Sequence, residues 1–474
     1  MLKAMNSEAL ALDRVEFDAD LIARYNKAGP RYTSYPTAVQ FDPAFSVADY
    51  RREVAASNAR GGPLSIYVHI PFCDTVCFYC GCNKIVTRNH NRVEPYLGRL
   101  GQEIALQAEL LDTTRPVDQL HLGGGTPTFF SDAELERLMS ELHAHFALHA
   151  GGEYSIEIDP RGVGAERVRN MAKMGFNRIS VGVQDFDPEV QRAVNRLQSE
   201  AETLEVLNAA AAEGFRGTNV DLIYGLPLQT RERFVQTLDR IVDAAPDRIS
   251  VFNYAHLPER FKPQRQIRTE DLPSPAEKLA ILREAIERLT AAGYVYIGMD
   301  HFARPDDELA LAQANGTLHR NFQGYSTRAD CDLIALGVSS IGIVADAYAQ
   351  NAKDMPDYEA ALERGELPLV KGVRLTADDA RRRGVIMEII CHLRLDIGAY
   401  EARFGVDFWD YYAEAVPQLE VMQSDGLVEM SRESIRVLPA GRLLIRNICM
   451  VFDAYLERAR STEQAARPRF SRVI

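Results

Sequence analysis

The sequence predicts an α/β fold in which strands and helices alternate along most of the chain and form a barrel or partial barrel. Three observations predict it. Short β-branched runs recur from Pro63 onward, the stretches between them are long enough for amphipathic helices, and polar groups fall at the end of one strand after another. Regular alternation of this kind implies parallel pairing through right-handed crossovers, with the chemistry at the C-terminal rim of the strands.

Each element follows in order. "PLSIYVHI" (63–70) predicts the first strand, followed by a cysteine-bearing loop and the helical stretch "RVEPYLGRLGQEIALQAELL" (92–111). "VDQLHL" (117–122) predicts the second, leading into Gly123-Gly124-Gly125-Thr126-Pro127 and a helix that opens at Ser131. "EYSIEID", "RISVGVQ", "NVDLIYG", "RISVFNYAHL" and "YVYIGMDHFA" predict five more strands, giving six or seven βα units. Ser131-Asp-Ala-Glu134 and Ser274-Pro-Ala-Glu277 are capping-box patterns, the second with Pro275 at the first helical position, where a missing N–H does no harm.

A chain of 474 residues exceeds what one core usually sustains. The expected organisation is an N-terminal arm or lid over 1–62, the barrel over 63–374 and a mainly helical C-terminal domain over 375–474. The arm contains "YNKAGPRYTSYPTAVQF" (25–41), rich in Pro, Gly and aromatics. The C-terminal domain carries "TADDARRRGVIMEIICHLRL", a helical stretch around Phe408 to Met422, a hairpin in "GLVEMSRESIRVL" and a final helical run from Gly441 to Arg460. That order is winged-helix-like, but no basic recognition face accompanies it, so the module reads as a helical cap.

The composition, 46% hydrophobic and 26% charged, is that of a soluble globular protein. A net charge of -13 argues against bulk nucleic-acid binding and leaves room for a local basic pocket. The N-terminus places acids where an export signal needs an apolar core, and the longest apolar run, Leu333 to Ala345, is too short for a membrane helix. The expected location is the cytoplasm, with no nucleic-acid or membrane partner and a monomeric state. Thiols stay reduced there, and clustered cysteines are more often metal ligands or redox groups than disulfides.

Four of the seven cysteines lie in "PFCDTVCFYCGCNK" (71–84). Cys73, Cys77 and Cys80 have three and then two intervening residues, a spacing that aims three thiolates at one metal assembly. A structural zinc site or an electron-carrying cubane normally takes four ligands, so three leave one iron open. Cys82, one residue beyond Cys80, is placed outside the cluster, and Cys331, Cys391 and Cys449 read as small buried hydrophobes. Phe78 and Tyr79 are expected to shield the cluster from water.

Polar residues end the successive strands: Glu157 and Asp159 the third, Gln184 and Asp185 the fourth, Asp221 the fifth, Asn253 and His256 the sixth. The glycine run lets a ligand approach the backbone and permits positive φ. His69 is either a core histidine or an outer partner of the cluster, with Tyr67 on the same face. Arg196, in "VQRAVNRLQ", is expected on the solvated side of an amphipathic helix.

The Cx3Cx2C spacing resembles the signature of the radical S-adenosylmethionine (SAM) enzymes. "YNKAGPRYTSYPTA", "SIYVHIPFC", "GCNKIVTR", "LGGGTPT", "SIEIDPR", "VGVQDF", "VNRLQ", "NVDLIYGLP", "VFNYAHLP", "IGMDHFARPDDELA", "HRNFQGY", "GRLLIRNICM" and "FSRVI" resemble the oxygen-independent coproporphyrinogen III oxidase family over essentially the whole chain. The resemblance implies a partial βα barrel of the radical SAM type, a [4Fe-4S] cluster on Cys73, Cys77 and Cys80, and two SAM molecules. It implies that a 5′-deoxyadenosyl radical removes hydrogen as two propionates of coproporphyrinogen III become vinyl groups, giving protoporphyrinogen IX. An electron donor such as a flavodoxin or ferredoxin system is implied with it.

By motif, Tyr67, Gly124, Glu157 and Ile341 fall where the family holds the SAM on the cluster, and Tyr79, Gly125, Thr126, Gln184, Arg196, Asp221 and Ala255 where it holds the second. Phe322 and Gln323 are further candidates for the second site. The family more often has Tyr-Phe before the third cysteine, where this chain has Phe78-Tyr79. Arg31, with Lys84 or Arg88, is expected to pair with substrate carboxylates. The rival readings are a haem-chaperone relative and a ferredoxin-like electron carrier.

Overall fold

A computed structural model describes residues 15–461. The "FSRVI" motif lies outside them. The chain forms two compact units, one made of Gln40–Ile281 and Asp330–Arg374, the other of the segment up to Val39, Leu282–Ala329 and the chain from Leu375 onward.

The first unit is built on a sheet whose strands are β1 (Leu64–Ile70), β2 (Pro116–Gly124), β3 (Ala147–Ile158), β4 (Arg178–Gln184), β5 (Gly217–Tyr224), β6 (Arg248–Asn253), β7 (Asp332–Leu336), β8 (Ile341–Val344), β9 (Ala347–Asn351) and β10 (Leu369–Arg374). They lie in the order β10-β9-β8-β7-β1-β2-β3-β4-β5-β6. From β7 to β6 every pair is parallel, and β7 to β10 pair antiparallel. β6 and β10 do not pair, so the barrel is partial.

The crossover helices form where the amphipathic spacing puts them. Asp132–His145 starts at the expected capping box, with Ser131 and Glu134 bonded reciprocally, and buries Leu135, Leu138 and Leu142 on one face. Each such leucine contributes roughly 2 kcal/mol by leaving water. The second expected start also forms, Glu277 N donating to Ser274 Oγ at 3.1 Å. A further capping box at Ser199–Glu202 opens Glu200–Ala212.

Several expectations are corrected. "YVYIGMDHFA" is not one strand but two, Val295–Gly298 and His301–Ala303, paired antiparallel in the second unit. Gly298 (φ 144°) and Met299 (φ 55°) turn the chain between them. The apolar run Leu333 to Ala345 supplies β7 and β8, which the sequence reading left unassigned, broken by Gly337 (φ 92°) and Ser339 (φ 64°). Helix interruptions also occur: Phe408–Tyr411 and Val416–Ser424 are separate helices, the second with Pro417 in its first turn. Ala454–Ser461 restarts after Asp453, whose Oδ1 accepts from Tyr455 N at 3.0 Å.

In the second unit Ala377–His392 is capped by Thr376 and Asp379. The expected hairpin forms as Val428–Met430 against Ser434–Val437, with Arg394–Asp396 on its other edge. Tyr32 Oη donates to Asp453 at 2.9 Å and Asn447 Nδ2 to the Tyr25 carbonyl at 2.8 Å, tying the N-terminal segment to the C-terminal helices within this unit. Among the described residues no helix is long and apolar enough to cross a membrane.

Candidate active site

The cysteine loop leaves β1 and is closed by its own ends. Phe72–Cys73 pairs in parallel with Ile85–Val86, and Thr87 N donates to the Cys73 carbonyl at 2.9 Å. The middle is fastened from outside: Phe78 N donates to Val194 O at 2.9 Å, Asn195 Nδ2 to Val76 O at 2.8 Å and Gln264 Nε2 to Tyr79 O at 2.9 Å. Phe78 packs with Val190, Val194, Leu226, Tyr254 and Ile267. Its apolar body is therefore an anchor for the loop. Tyr79 packs there too and also faces the cavity.

A cavity of about 270 Å³ opens beside the loop at the C-terminal ends of the parallel strands. Cys73, Cys77, Cys80, Tyr79, Gly124, Gly125, Thr126, Glu157, Gln184, Arg196 and Asp221 all line it. So do Cys82, Lys84, Asp159, Arg161, Ser180 and Phe252. Residues more than a hundred positions apart thus meet at one site. Tyr67, Ala255 and Ile341 are outside the lining. Arg31, Phe322 and Gln323 belong to the second unit, and Arg88 is exposed.

The pleat and register explain the polar wall. In β2, β4 and β5 the buried Leu120 and Leu122, Ile179 and Val181, and Val220 and Leu222 alternate with His121, Ser180, Asn219 and Asp221. Parallel sheets buried on both faces usually read as continuous apolar runs, so this alternation marks one face as polar, and Ser180 and Asp221 on it line the cavity. Neighbouring strands then hydrogen-bond across it, Ser180 Oγ donating to Asp221 Oδ2 at 3.0 Å and Ser250 Oγ to Asn219 Oδ1 at 3.3 Å, while within β5 Asn219 Nδ2 donates to Asp221 Oδ1 at 2.8 Å. Sequence reading missed His121, Ser155, Ser180, Asn219 and Ser250, although the period-two alternation was there to find them.

Charge on the wall is uneven. Burial and the nearby Glu157 charge push Asp221 up to about 6. Burial also disfavours the charged form of Glu157, but hydrogen bonds from His121 and Gly124 N hold it below the usual carboxylate range. The Gly124 bond is 3.0 Å and the His121 contact 3.3 Å. One carboxylate is therefore firmly ionised while its neighbour titrates near neutrality.

Arg196 departs from the helical placement. The helix Pro188–Ala193 ends before it, and Asn195 turns the chain in a left-handed conformation (φ 54°). The side chain is buried, with 6% of the residue exposed. It donates to Asp159 Oδ2 at 3.0 Å and to the Gly182 carbonyl at 2.6 Å, and Nη1 lies 3.6 Å from Cys77 Sγ. Its Nε is buried without a hydrogen-bond partner.

His69 has both nitrogens engaged. Nε2 meets the Asn83 carbonyl at 3.0 Å and must donate, so Nδ1 accepts from Tyr67 Oη at 3.0 Å. The ring links β1 to the end of the cysteine loop, and burial lowers its pKa. Tyr67 also stacks on His121 at 5.9 Å, reaching the site through these two rings. Asp185 turns away from the site, accepting from Thr237 Oγ1 at 2.7 Å and Gln229 Nε2 at 2.6 Å.

The glycine run has a packing reason that the sequence did not disclose. Gly124 has φ 117°, and a Cβ there would lie 2.6 Å from the His69 ring. At Gly125 it would lie 2.7 Å from the Phe72 and Pro71 carbonyl oxygens. Only glycine lets β2 turn this close to the start of the cysteine loop.

All seven cysteines are free. Cys391 and Cys449 are buried as expected, but Cys331 is only half-buried. A hydrogen bond from Cys82, with Lys84 nearby, lowers Cys80 to about 5, while burial pushes Cys73 up to about 11. Thr126 Oγ1 lies 3.4 Å from Cys73 Sγ, and Lys84 Nζ donates to the Cys80 carbonyl at 3.1 Å. Zinc needs its donors within about 2.3 Å of one point. Among the described residues no group of three His, Cys, Asp or Glu side chains is arranged for a single metal ion. Three thiols spread along the wall of one cavity, with the buried, partnerless Nε of Arg196 on the same wall, fit a larger thiolate-bound cluster with a polar cofactor beside it.

Comparison with known proteins agrees with that chemistry. Residues 67–241 match the model of the Radical SAM superfamily and residues 375–444 that of the HemN C-terminal domain. Fold and site together define a radical SAM enzyme, a class that carries a [4Fe-4S] cluster and SAM. The chain is 51% identical over 465 residues to the oxygen-independent coproporphyrinogen III oxidase of Pseudomonas aeruginosa, covering 98% of this chain and 100% of that protein. It is 50% identical over 465 residues to that of Escherichia coli, with the same coverage. The solved structure of coproporphyrinogen III oxidase (HemN) from Escherichia coli, described as a radical SAM enzyme, matches with a TM-score of 0.89 at 50% identity, covering 93% of this chain and 100% of that one. The chain belongs to the oxygen-independent coproporphyrinogen III oxidase family.

Proposed function

We propose that this enzyme converts two propionate side chains of coproporphyrinogen III to vinyl groups, yielding protoporphyrinogen IX and carbon dioxide in haem synthesis. The observation that carries the reading is the meeting of Cys73, Cys77 and Cys80 with Glu157, Arg196 and Asp221 around one cavity, in a chain that matches the oxidases end to end. When bound, the cluster supplies one electron to SAM, whose cleavage furnishes the hydrogen-abstracting radical. Each propionate gives up a β-hydrogen, then carbon dioxide and one further electron.

In this reading Cys73, Cys77 and Cys80 hold three irons and leave the fourth to SAM. Tyr67, Gly124, Glu157 and Ile341 hold that SAM, the ionised Glu157 suiting a cationic ligand. A second SAM is held by Tyr79, Gly125, Thr126, Gln184, Arg196, Asp221 and Ala255, the planar fork of Arg196 suiting its carboxylate. The strand-end placement keeps these groups on rigid elements, which the orientation of a radical reaction requires. The enzyme acts as a cytoplasmic monomer and draws its electron from a flavodoxin- or ferredoxin-type donor.

The test is an anaerobic assay of the reconstituted protein with coproporphyrinogen III, SAM and reductant. Protoporphyrinogen IX should form with release of carbon dioxide. Haem retained without product would move the protein to the haem chaperones instead.

A further inference from the structure

Four of the sequence motifs quoted above lie outside the cavity: those containing Arg31, Asp300, Arg320 and Arg446. Within the second unit the fold joins all four around one ion pair. Arg31 Nη2 donates to Asp300 Oδ2 at 2.6 Å. Arg320 Nε donates to the carbonyl of Arg31 at 3.4 Å, and its guanidinium lies 4.7 Å from the centre of the Tyr325 ring. Arg446 donates to the carbonyls of Gly29 and Pro30, just before Arg31, the latter at 2.9 Å. Burial and the charges of Arg31 and Arg320 pull Arg446 down to about 10, while Asp300 opposes them.

Two donors in this cluster are idle. Arg320 is 4% exposed, yet its Nη1 is buried without a hydrogen-bond partner, and so is Nε of Arg31. Buried guanidinium donors are ordinarily paired, because an unpaired buried charge is costly. Fastening the N-terminal segment explains the bonds of Arg446 but uses neither idle donor. The ion pair borders solvent, the Arg31 side chain being 37% exposed and that of Asp300 10%. The backbone is bent on both sides of the pair: Tyr32 (φ 47°) and Met299 (φ 55°) are left-handed, which non-glycine residues rarely adopt.

We propose that Arg31 and Arg320 form a binding site for a propionate carboxylate of the tetrapyrrole, with Asp300 holding the Arg31 fork in place before the ligand arrives. This deepens the reading above and rests on coproporphyrinogen III being the substrate. A carboxylate satisfies planar, cationic donors in pairs, and a second negative charge beside Asp300 offsets the gathered guanidiniums. The carboxylate of SAM has the same chemistry, so the test must separate the two.

Full-length reconstituted protein is dialysed anaerobically against coproporphyrinogen III, against its uncharged tetramethyl ester in matched cosolvent, and separately against SAM, the bound tetrapyrrole being read by fluorescence after oxidation to the porphyrin. Arg320→Gln and Arg31→Gln should each weaken binding of the free acid about tenfold or more, the usual cost of a charged hydrogen bond, and leave the ester and SAM unaffected. Unchanged binding of the acid, equal weakening of acid and ester, or weakening of SAM alone would overturn the site. If Arg320→Gln fails to fold by circular dichroism, Arg31→Gln at its half-exposed position decides. Should the unmutated protein bind neither porphyrinogen, the substrate reading itself falls, an outcome distinct from a wrongly placed carboxylate site.

Discussion

Arg196 donates to Asp159 Oδ2 at 3.0 Å while the same Nη1 stands 3.6 Å from Cys77 Sγ. One guanidinium thus ties the end of β3 to the cysteine loop, and its Nη2 reaches the Gly182 carbonyl on β4.

Lysine at this position keeps a positive charge but cannot serve Asp159 and Gly182 O together from a planar fork. Arg196→Lys is expected to retain its iron after anaerobic reconstitution and lose turnover by at least about tenfold. Iron content and product formation measured on one preparation check this. Turnover at the unmutated rate would show that the fork is dispensable.

The contact between Gly124 and His69 makes a stability prediction. A Cβ at Gly124 meets a ring whose two nitrogens are already bonded and which cannot easily withdraw. Gly124→Ala should cost roughly 3 kcal/mol from overpacking and positive φ combined. Gly162→Ala, at φ 73° with nothing within 4 Å, should cost only about 1 kcal/mol. Equal losses in thermal or denaturant unfolding would contradict the close approach of β2 to His69.

The raised carboxyl of Asp221 ties stability to pH. Its folded pKa of about 6 lies above the ordinary 3.8, so the native protein holds a proton that the unfolded chain releases between these values. The stability due to the protonated form is complete below pH 4 and is lost as pH rises through 6. Asp221→Asn cannot ionise. Its stability relative to the unmutated protein should therefore rise between pH 4 and pH 7, by about 1–2 kcal/mol because Asp221 faces an open cavity. Parallel pH dependences in urea unfolding would show that Asp221 titrates normally.

Cys82 stands beside Cys80 and lines the same cavity, yet the proposed function takes only three cluster thiolates. Cys82→Ser should keep its iron, whereas Cys73→Ser, Cys77→Ser and Cys80→Ser should each lose it. Iron and sulfide analysis after anaerobic reconstitution distinguishes these outcomes, and loss of iron from Cys82→Ser would count against a three-thiolate cluster.

Much of this site was legible before the fold was known, because its parts obey local rules. Cysteine spacing is local, and the ends of parallel strands share one rim, so Glu157, Gln184 and Asp221 could be placed together from their positions after strand-like runs. What escaped depends on contacts between distant segments. Asn195 takes a left-handed turn that removes Arg196 from its helix and joins the cysteine loop through Val76. Likewise, nothing near Gly124 in sequence reveals that His69 fills the space beside it. The hairpin within Tyr294–Ala303 was missed because Gly298 and Met299 reverse the chain inside a run with strand composition throughout. The grouping of Arg31 with Asp300 and Arg320 was out of reach for the same reason, since Arg31 lies 269 and 289 positions from them.

The central claim, an iron left free by three cysteines and taken by SAM, is tested most directly by electron paramagnetic resonance of the anaerobically reduced protein with and without SAM. The expected result is a [4Fe-4S]⁺ signal that changes on adding SAM, with 5′-deoxyadenosine appearing on turnover. A signal indifferent to SAM, from a cluster that releases no adenosyl product, would contradict the account.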